Sequence, residues 1–287
     1  MTRTPLRLAI REAEKILLEA GVDSARTDAE LLASHVLGVP RNRLQLVPLV
    51  DPSVVDALGK LVVRRAKREP LQHLTGTAWL GDIDLSVGPG VFIPRPETDL
   101  LLEWGLTVTK QADPVVVDLC TGSGALALAF AHTRPDAEVS AVEIDSVALS
   151  WARRNSDLRV QAGDTPIRLF SGDVRNPELL ADLEGTVDLV LCNPPYVPVG
   201  TPVQLEVREH DPALAVFGGP DGLDVIRHVV SCAARLLKPG GWVGIEHDDT
   251  QGESVPALLA ARRVLTGVRD HQDLAGRPRF TTAQRCS

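Results

Sequence analysis

Apolar positions in the first quarter of the chain recur at helical spacing. Leu6, Ala9, Ile10, Ala13 and Leu17 fall on one face of a helix over 6–18, and Gly21 stands where a glycine closes a helix C-terminus. A second helix is predicted from Thr27 or Asp28 through Leu31, Leu32 and Val36, stopping at Gly38 ahead of Pro40. A third opens on Asp51-Pro52, a capping residue followed by proline in the first turn, and runs through Leu58, Leu61 and Val62 to about Arg68. These make a small all-α domain, 1–68. Its Arg64, Arg65, Lys67 and Arg68 read first as a solvated helix face and second as a docking surface.

The helical period breaks at Glu69-Pro70-Leu71-Gln72-His73-Leu74-Thr75-Gly76. Thr77 to Val87 then alternates around Gly81-Asp82, predicting a short β-hairpin. Gly88 to Pro96 is too rich in proline for regular structure, so 69–96 reads as hinge and hairpin linker, with an acidic helix start after it. Over 97–287 apolar strands alternate with amphipathic helices. Strands are predicted at 115–119, 138–143, 167–171, 187–192, 242–246, 264–269 and 278–282; helices at 124–133, 146–155, 176–183, 222–237 and 252–261. That alternation means an α/β fold with a doubly wound, mostly parallel sheet, which binds its ligands at the carboxyl ends of the strands. The site is expected after Leu119, Glu143, Ser171 and Cys192.

Composition narrows the function. A 44% hydrophobic, 24% charged chain of 287 residues is globular and has room for two domains. Its formal net charge of -8 argues against a life on nucleic-acid phosphates, so no direct nucleic-acid partner is expected. Cys120, Cys192, Cys232 and Cys286 form no CxxC pair, which suits a reducing cytoplasm and indicates neither zinc nor a disulfide framework. Charges interrupt the first twenty residues, and no apolar run of about 18 residues occurs, so neither signal peptide nor membrane partner is expected.

Candidate chemistry begins at Leu189-Val190-Leu191-Cys192-Asn193-Pro194-Pro195-Tyr196. Two prolines cannot continue a parallel ladder, so the strand ends in a stiff corner carrying Asn193 and Tyr196. The Asn193 side-chain oxygen and the Pro194 carbonyl can each accept a hydrogen from a planar NH2 group, and the Tyr196 ring can cover its face. An ordinary Asn-Pro turn explains the tetrapeptide alone equally well. Upstream, Cys120-Thr121-Gly122-Ser123-Gly124 joins a strand to a helix and suits a nucleotide-like ligand. It is neither a P-loop nor a GxGxxG fingerprint. Glu143, nineteen positions past Gly124, ends the second strand where a carboxylate can accept both hydroxyls of a ribose. Asp173, followed by Val174, is placed to hold an adenine amino group.

This order resembles the class I S-adenosylmethionine-dependent methyltransferases. EPLQHLTG, VFIPRPETD, DLCTGSGALALAF, VLCNPPYVP and the late DLAGRPRF resemble one family within them, the peptide chain release factor glutamine methyltransferases (PrmC/HemK), over residues 69–282. The resemblance implies a Rossmann-like seven-stranded sheet and transfer of a methyl group to the amide nitrogen of the glutamine in the Gly-Gly-Gln tripeptide of class I release factors, with S-adenosylhomocysteine as product. It implies that Cys120, Thr121, Gly122, Ser123, Gly124, Glu143, Asp173, Val174 and Asn193 hold the cofactor; 1–68, which matches the family in size and placement but not by motif, is expected to dock the body of the protein substrate, because a lone tripeptide offers too little surface for specificity. Phe92, Arg95, Pro96 and Glu97 join Asn193, Pro194 and Tyr196 in holding substrate; Asn193, Pro194, Pro195 and Tyr196 are the expected catalytic residues, without a metal.

Cys120 stands where the family usually has glycine, and Glu143 where Asp is frequent. Glu246-His247-Asp248-Asp249 is more acidic than usual; it reads as a polar strand end rather than a metal cluster. His73, His210 and His228 have no ligand partners at metal spacing and read as surface or core histidines. The segment from Val197 to Pro220 is long enough to border the substrate cleft. Two alternatives stand beside this reading: methylation of an exocyclic amine on a nucleic-acid base, and a non-catalytic cofactor-binding module of the translation machinery. The acidic charge and VFIPRPETD count against the first, the intact Asn193 against the second.

Overall fold

The structure, a computed structural model, describes residues 3–287. They fall into two compact units: the residues up to Thr77 together with Gln204–His210, and Ala78–Val203 with Asp211–Ser287. In the first unit β1 (Thr4–Pro5) pairs antiparallel with β2 (Leu49–Val50). Around this short ribbon lie α1 (Leu6–Glu19), α2 (Ala25–Leu37), a 3-10 turn over Arg41–Leu46, α3 (Pro52–Ala66) and α4 (Leu71–Thr75). Leu6, Ile10, Ala13 and Leu17 are the buried stripe of α1, and they share a core with Ala29, Leu32, Leu58 and Val62. The segment expected only to break the helical period thus contains one helical turn, α4. Asp51 stands at the N-cap of α3 without a side-chain cap bond, because its carboxylate accepts from Arg3 Nε at 2.9 Å.

The basic run is only partly a solvated face: Arg64 and Lys67 are exposed, whereas Arg65 is buried and Arg68 half-buried. Arg65 is 5% exposed; its Nε meets Asp28 at 2.7 Å and its Nη1 meets Glu206 at 2.9 Å. Arg68 also binds Glu206, at 2.9 Å, and Arg64 binds Glu69. Acids distant in sequence take up two of the four cations, Arg65 and Arg68, which a local charge pattern cannot reveal.

The second unit begins at Ala78, within the hairpin of β3 (Thr77–Leu80) and β4 (Ile83–Ser86), and continues with α5 (Thr98–Val108). Next come β5 (Val115–Leu119), α6 (Ala125–Thr133), β6 (Glu138–Glu143), α7 (Ser146–Gln161), β7 (Arg168–Ser171) and β8 (Val187–Cys192). After α8 (Leu205–His210), which belongs to the first unit, the second unit continues with α9 (Ala213–Val216), α10 (Asp224–Leu236), β9 (Leu237–Glu246), α11 (Ser254–Ala260), β10 (Leu265–Gln272) and β11 (Pro278–Arg285). The sheet order is β10-β11-β9-β8-β5-β6-β7; the five strands from β9 to β7 are parallel, and β11 and β10 close one edge antiparallel. This is the expected Rossmann-like, mostly parallel seven-stranded sheet. Apolar cores cover both faces: Val117, Val190, Ile226 and Val230 lie in one, and Leu101, Val116, Phe130 and Leu189 in the other.

Three predicted elements differ. No α-helix forms over 176–183; a 3-10 turn at Ala181–Leu183 replaces it, since Pro177 interrupts the start and Leu180 takes a left-handed φ of 53°. Helix α7 runs on past the expected end at 155 to Gln161, and Asn155 is buried within it, its side chain accepting from the Ser86 N–H and donating to the Ser86 and Ser123 carbonyls. Strand β9 starts at Leu237, its Pro239-Gly240-Gly241 absorbed in a register shift against β8.

Candidate active site

Parallel register aligns the strand ends at one edge. Leu119 of β5 pairs with Val142 of β6 and Cys192 of β8, Glu143 with Ser171, and Cys192 with Ile245 of β9. The residues just beyond, Cys120, Asn193 and Glu246, therefore lie along the carboxyl edge, as the doubly wound topology requires.

The glycine turn leaves β5 through Cys120, at a φ of 60°. A side chain in this left-handed region costs about 1–2 kcal/mol, which explains why glycine suits the position. Gly122 has open space where a Cβ would stand and a φ of 58°, so ligand atoms can approach bare backbone there. Glu143 organises this turn: its Oε2 accepts from the Gly122 N–H at 2.8 Å, and its Oε1 from the Ile144 and Asp145 N–H groups at 2.9 Å each. Three of its roughly four acceptor positions are thereby taken. Burial nevertheless raises its pKa above the ordinary value. Asp173 is engaged by Arg175 at 2.6 Å, which lowers its pKa; Val174 beside it is half-buried.

Asp118, not expected among the site residues, sits beneath this turn. Its Oδ2 accepts from Thr121 Oγ1 at 2.5 Å and from the Ala127 N–H at 3.2 Å, while its buried Oδ1 has no hydrogen-bond partner. Burial raises its pKa to about 7. An unpaired buried acceptor next to a helix N-terminus and an approachable glycine turn fits a nucleoside ligand that carries a cationic amino group.

At the corner after β8, Pro194 and Pro195 are buried while Asn193 and Tyr196 are half-buried. The corner is held from outside the strand. Gln251 Nε2 donates to the Tyr196 carbonyl at 3.0 Å, and Gly222, at a φ of 74°, comes so close that a Cβ would lie 2.1 Å from that oxygen. Asn193 Nδ2 donates to Thr98 Oγ1 at 3.2 Å, and Thr98 Oγ1 donates to Glu246 Oε2 at 2.8 Å. The Tyr196 hydroxyl reaches Glu246 Oε1 at 3.4 Å, and burial with the nearby Glu246 charge pushes its pKa up. Among the described residues no donor is bonded to Asn193 Oδ1 or to the Pro194 carbonyl.

Helix α5 brings Thr98 there. Leu101 and Leu102 share a core with Leu189 and Leu191 of β8, and Gly244 of β9 lets Leu101 and Trp104 approach to 2.7 and 2.6 Å of where its Cβ would be. The first turn of α5 consequently lies over the ends of β8 and β9. VFIPRPETD leads into it: Val91 and Ile93 are buried, Phe92 is stacked by the Arg95 guanidinium at 4.9 Å, and Arg95 pairs with Asp211 at 2.6 Å. Pro96 and Glu97 are exposed at the start of the helix.

Glu246, the last residue of β9, and His247 after it form a polar strand end, and it is buried. They are 1% and 0% exposed, and His247 Nε2 meets Thr281 Oγ1 at 2.8 Å. The sequence signal for Glu246 was its place at the end of the strand beside the Asn-Pro-Pro-Tyr strand; Thr98 gave none beyond its motif. Among the described residues no group of three or more His, Cys, Asp or Glu is arranged to hold a metal, and no helix is long and apolar enough to cross a membrane. His73 and His210 meet edge to face at 6.2 Å in the first unit.

The sheet order, glycine turn and Asn-Pro-Pro-Tyr corner define a methyltransferase, and residues 86–208 match the methyltransferase small domain family. A T. thermophilus 16S rRNA methyltransferase solved with AdoMet and guanosine shares the fold, with a TM-score of 0.53 at 23% identity over 73% of this chain and 49% of that one. Residues 9–76 match the PrmC N-terminal domain family. A Mycolicibacterium smegmatis protein named release factor glutamine methyltransferase is 52% identical over 98% of both chains. The chain belongs to the release factor glutamine methyltransferase family. It is also 40% identical to a Streptomyces pristinaespiralis 4-amino-L-phenylalanine/4-methylamino-L-phenylalanine methyltransferase, over 89% of this chain and 87% of that one.

Proposed function

We propose that this enzyme transfers the methyl group of S-adenosylmethionine to the side-chain amide nitrogen of the glutamine in the Gly-Gly-Gln tripeptide of class I peptide chain release factors. The observation that carries the reading is the pair of free acceptors at the end of β8, Asn193 Oδ1 and the Pro194 carbonyl, in a chain 52% identical to a release factor glutamine methyltransferase. S-adenosylmethionine, when bound, supplies a sulfonium methyl electrophile and needs no metal. Asp118 and the turn from Cys120 to Gly124 would hold it, with Glu143 at the ribose and Asp173 at the adenine. The single acceptor position left on Glu143 suits one hydroxyl.

An amide nitrogen is a poor nucleophile because its lone pair is delocalised into the carbonyl. Asn193 Oδ1 and the Pro194 carbonyl accept its two hydrogens, turn the lone pair toward the methyl group, and stabilise the positive charge that develops on nitrogen. Pro195 fixes the corner and Tyr196 covers the face of the amide. The proton leaves after transfer, so no dedicated base is required. Phe92, Arg95, Pro96 and Glu97 border the substrate, and the helical first unit supplies surface for the protein body, because a tripeptide alone offers too little for specificity. Such a reaction belongs in the cytoplasm, where release factors act.

The Streptomyces relative favours a second acceptor, a small aromatic amine, which also presents a planar NH2 group. Labelled methyl transfer should be compared across intact release factor, a Gly-Gly-Gln peptide, 4-amino-L-phenylalanine, nucleic acid and no acceptor. Intact factor should be methylated with the highest kcat/KM, well above the peptide. A peptide as good as the whole factor would remove the docking role of the first unit, and preferred labelling of the amino acid or nucleic acid would overturn the assignment.

A further inference from the structure

Thr98 and Glu246 have no place in the contacts assigned above to substrate or cofactor, yet both are buried, at 3% and 1% exposure, and joined to Asn193. We propose that they are positioning residues that set which end of the Asn193 side-chain amide faces the acceptor, ionised Glu246 turning Oδ1 outward and protonated Glu246 allowing the reverse. The inference rests on the assignment of Asn193 Oδ1 as the atom that receives the substrate NH2.

Hydrogen-bond polarity carries it. An ionised carboxylate only accepts, so the one hydroxyl hydrogen of Thr98 must point at Glu246 Oε2. Thr98 Oγ1 is then left with lone pairs alone toward Asn193, and only the Nδ2 end of the amide can satisfy them, which leaves Oδ1 facing away. The Tyr196 hydroxyl donates to the other carboxylate oxygen, Oε1, so the chain has one consistent direction. A protonated Glu246 can instead donate to Thr98 Oγ1, freeing the threonine hydrogen for Asn193 Oδ1. The amide then presents its NH2 to the substrate NH2, two donors face each other, and transfer stops.

The switch falls in an accessible range. Burial is the dominant influence on Glu246 and raises its pKa to about 7. The Thr98 and Tyr196 bonds and the charge of Arg279 on β11 pull it down, while Glu97 ahead of α5 pushes it up. Methyl transfer should therefore lose rate below about pH 7.

The first test needs no activity. In protein labelled with 15N-asparagine, the Asn193 side-chain resonance, assigned through Asn193→Ala, should titrate with a midpoint near pH 7 in the wild type and stay still from pH 5 to 9 in Glu246→Gln. A resonance that does not titrate in the wild type, or titrates alike in Glu246→Gln, overturns the proposal. The second test is single-turnover methyl transfer to release factor. The isosteric Thr98→Val should slow it at least tenfold with cofactor affinity within twofold of wild type, and Thr98→Ser should restore it to within threefold. A folded Thr98→Val enzyme at the wild-type rate overturns the proposal. If Thr98→Val does not fold, the resonance of Glu246→Gln decides. If the wild type methylates no release factor, the functional assignment fails while the resonance test still judges the orientation of Asn193.

Discussion

Replacing Asn193 by aspartate is an informative perturbation because it keeps the shape of the side chain and puts two carboxyls on one hydroxyl. Thr98 Oγ1 lies 3.2 Å from Asn193 Nδ2 and 2.8 Å from Glu246 Oε2. The introduced carboxylate would stand about 5 Å from Glu246, where two negative charges repel by about 3 kcal/mol at an effective dielectric constant near 20. The pair must then share a proton at neutral pH, as coupled carboxyls do. With Glu246 ionised and the introduced carboxyl protonated, the new O–H takes over the donation to Thr98 and the new carbonyl oxygen faces the acceptor, as Oδ1 did. Asn193→Asp should thus keep measurable activity near pH 6–7 and lose it as pH rises and the shared proton leaves, a limb that the wild type lacks there. Asn193→Ala, with no acceptor, should fall about a hundred- to a thousandfold at every pH, the scale set by losing one preorganised polar contact. Single-turnover methyl transfer with saturating cofactor, from pH 5.5 to 9, reads both. Asn193→Asp activity that climbs with pH, or a folded Asn193→Ala enzyme at the wild-type rate, would refute this reasoning.

Glu143→Ala should weaken S-adenosylmethionine roughly ten- to a hundredfold by calorimetry, through lost charge-assisted bonds and a loosened glycine turn; unchanged affinity in a folded variant would remove Glu143 from the site. Arg65→Leu leaves Asp28, 3% exposed, without its cation, and should cost about 3–5 kcal/mol in urea unfolding; a loss under about 1 kcal/mol would return Arg65 to a surface role. Glu246 moves from 4.5 to about 7 on folding, so the native state binds its proton first. Its contribution is fully present below about pH 4.5 and lost as pH rises toward 7, about 3 kcal/mol in all; the wild-type-minus-Glu246→Gln difference in unfolding free energy should shrink by that amount over this window, and a difference flat with pH would contradict the burial of an ionisable group there.

The sheet was legible because its signals are local. Val115–Leu119, Glu138–Glu143 and Val187–Cys192 are apolar runs stopped by turn residues, and their strands begin and end where the sequence implies. The glycine turn and the proline corner are likewise punctuation, so the edge they share follows from topology. What stayed hidden depends on partners far along the chain. Arg65 looks solvated until Asp28 and Glu206 are seen beside it, 37 and 141 positions away. Glu246 reads correctly as a polar strand end, but its burial shows only once α5 lays Thr98 over it, and that packing turns on Gly244, whose lack of a side chain means nothing without the helix above. The burial of Asn155 is likewise invisible locally, because only the fold supplies three backbone partners for its amide.

The short helix Leu205–His210 completes the helical unit even though it is encoded well past the glycine turn and the proline corner. A ribosome emits the N-terminal helices first, but Arg65 waits for Glu206, so the buried charge on α3 has only Asp28 to answer it until residue 210 has left the exit tunnel. Maturation of the leading module is thereby tied to synthesis of most of the trailing one. Nor can a single protease cut release two finished modules: a nick near Thr77 leaves the front piece without its last helix and the rear piece with a segment whose packing partner has gone.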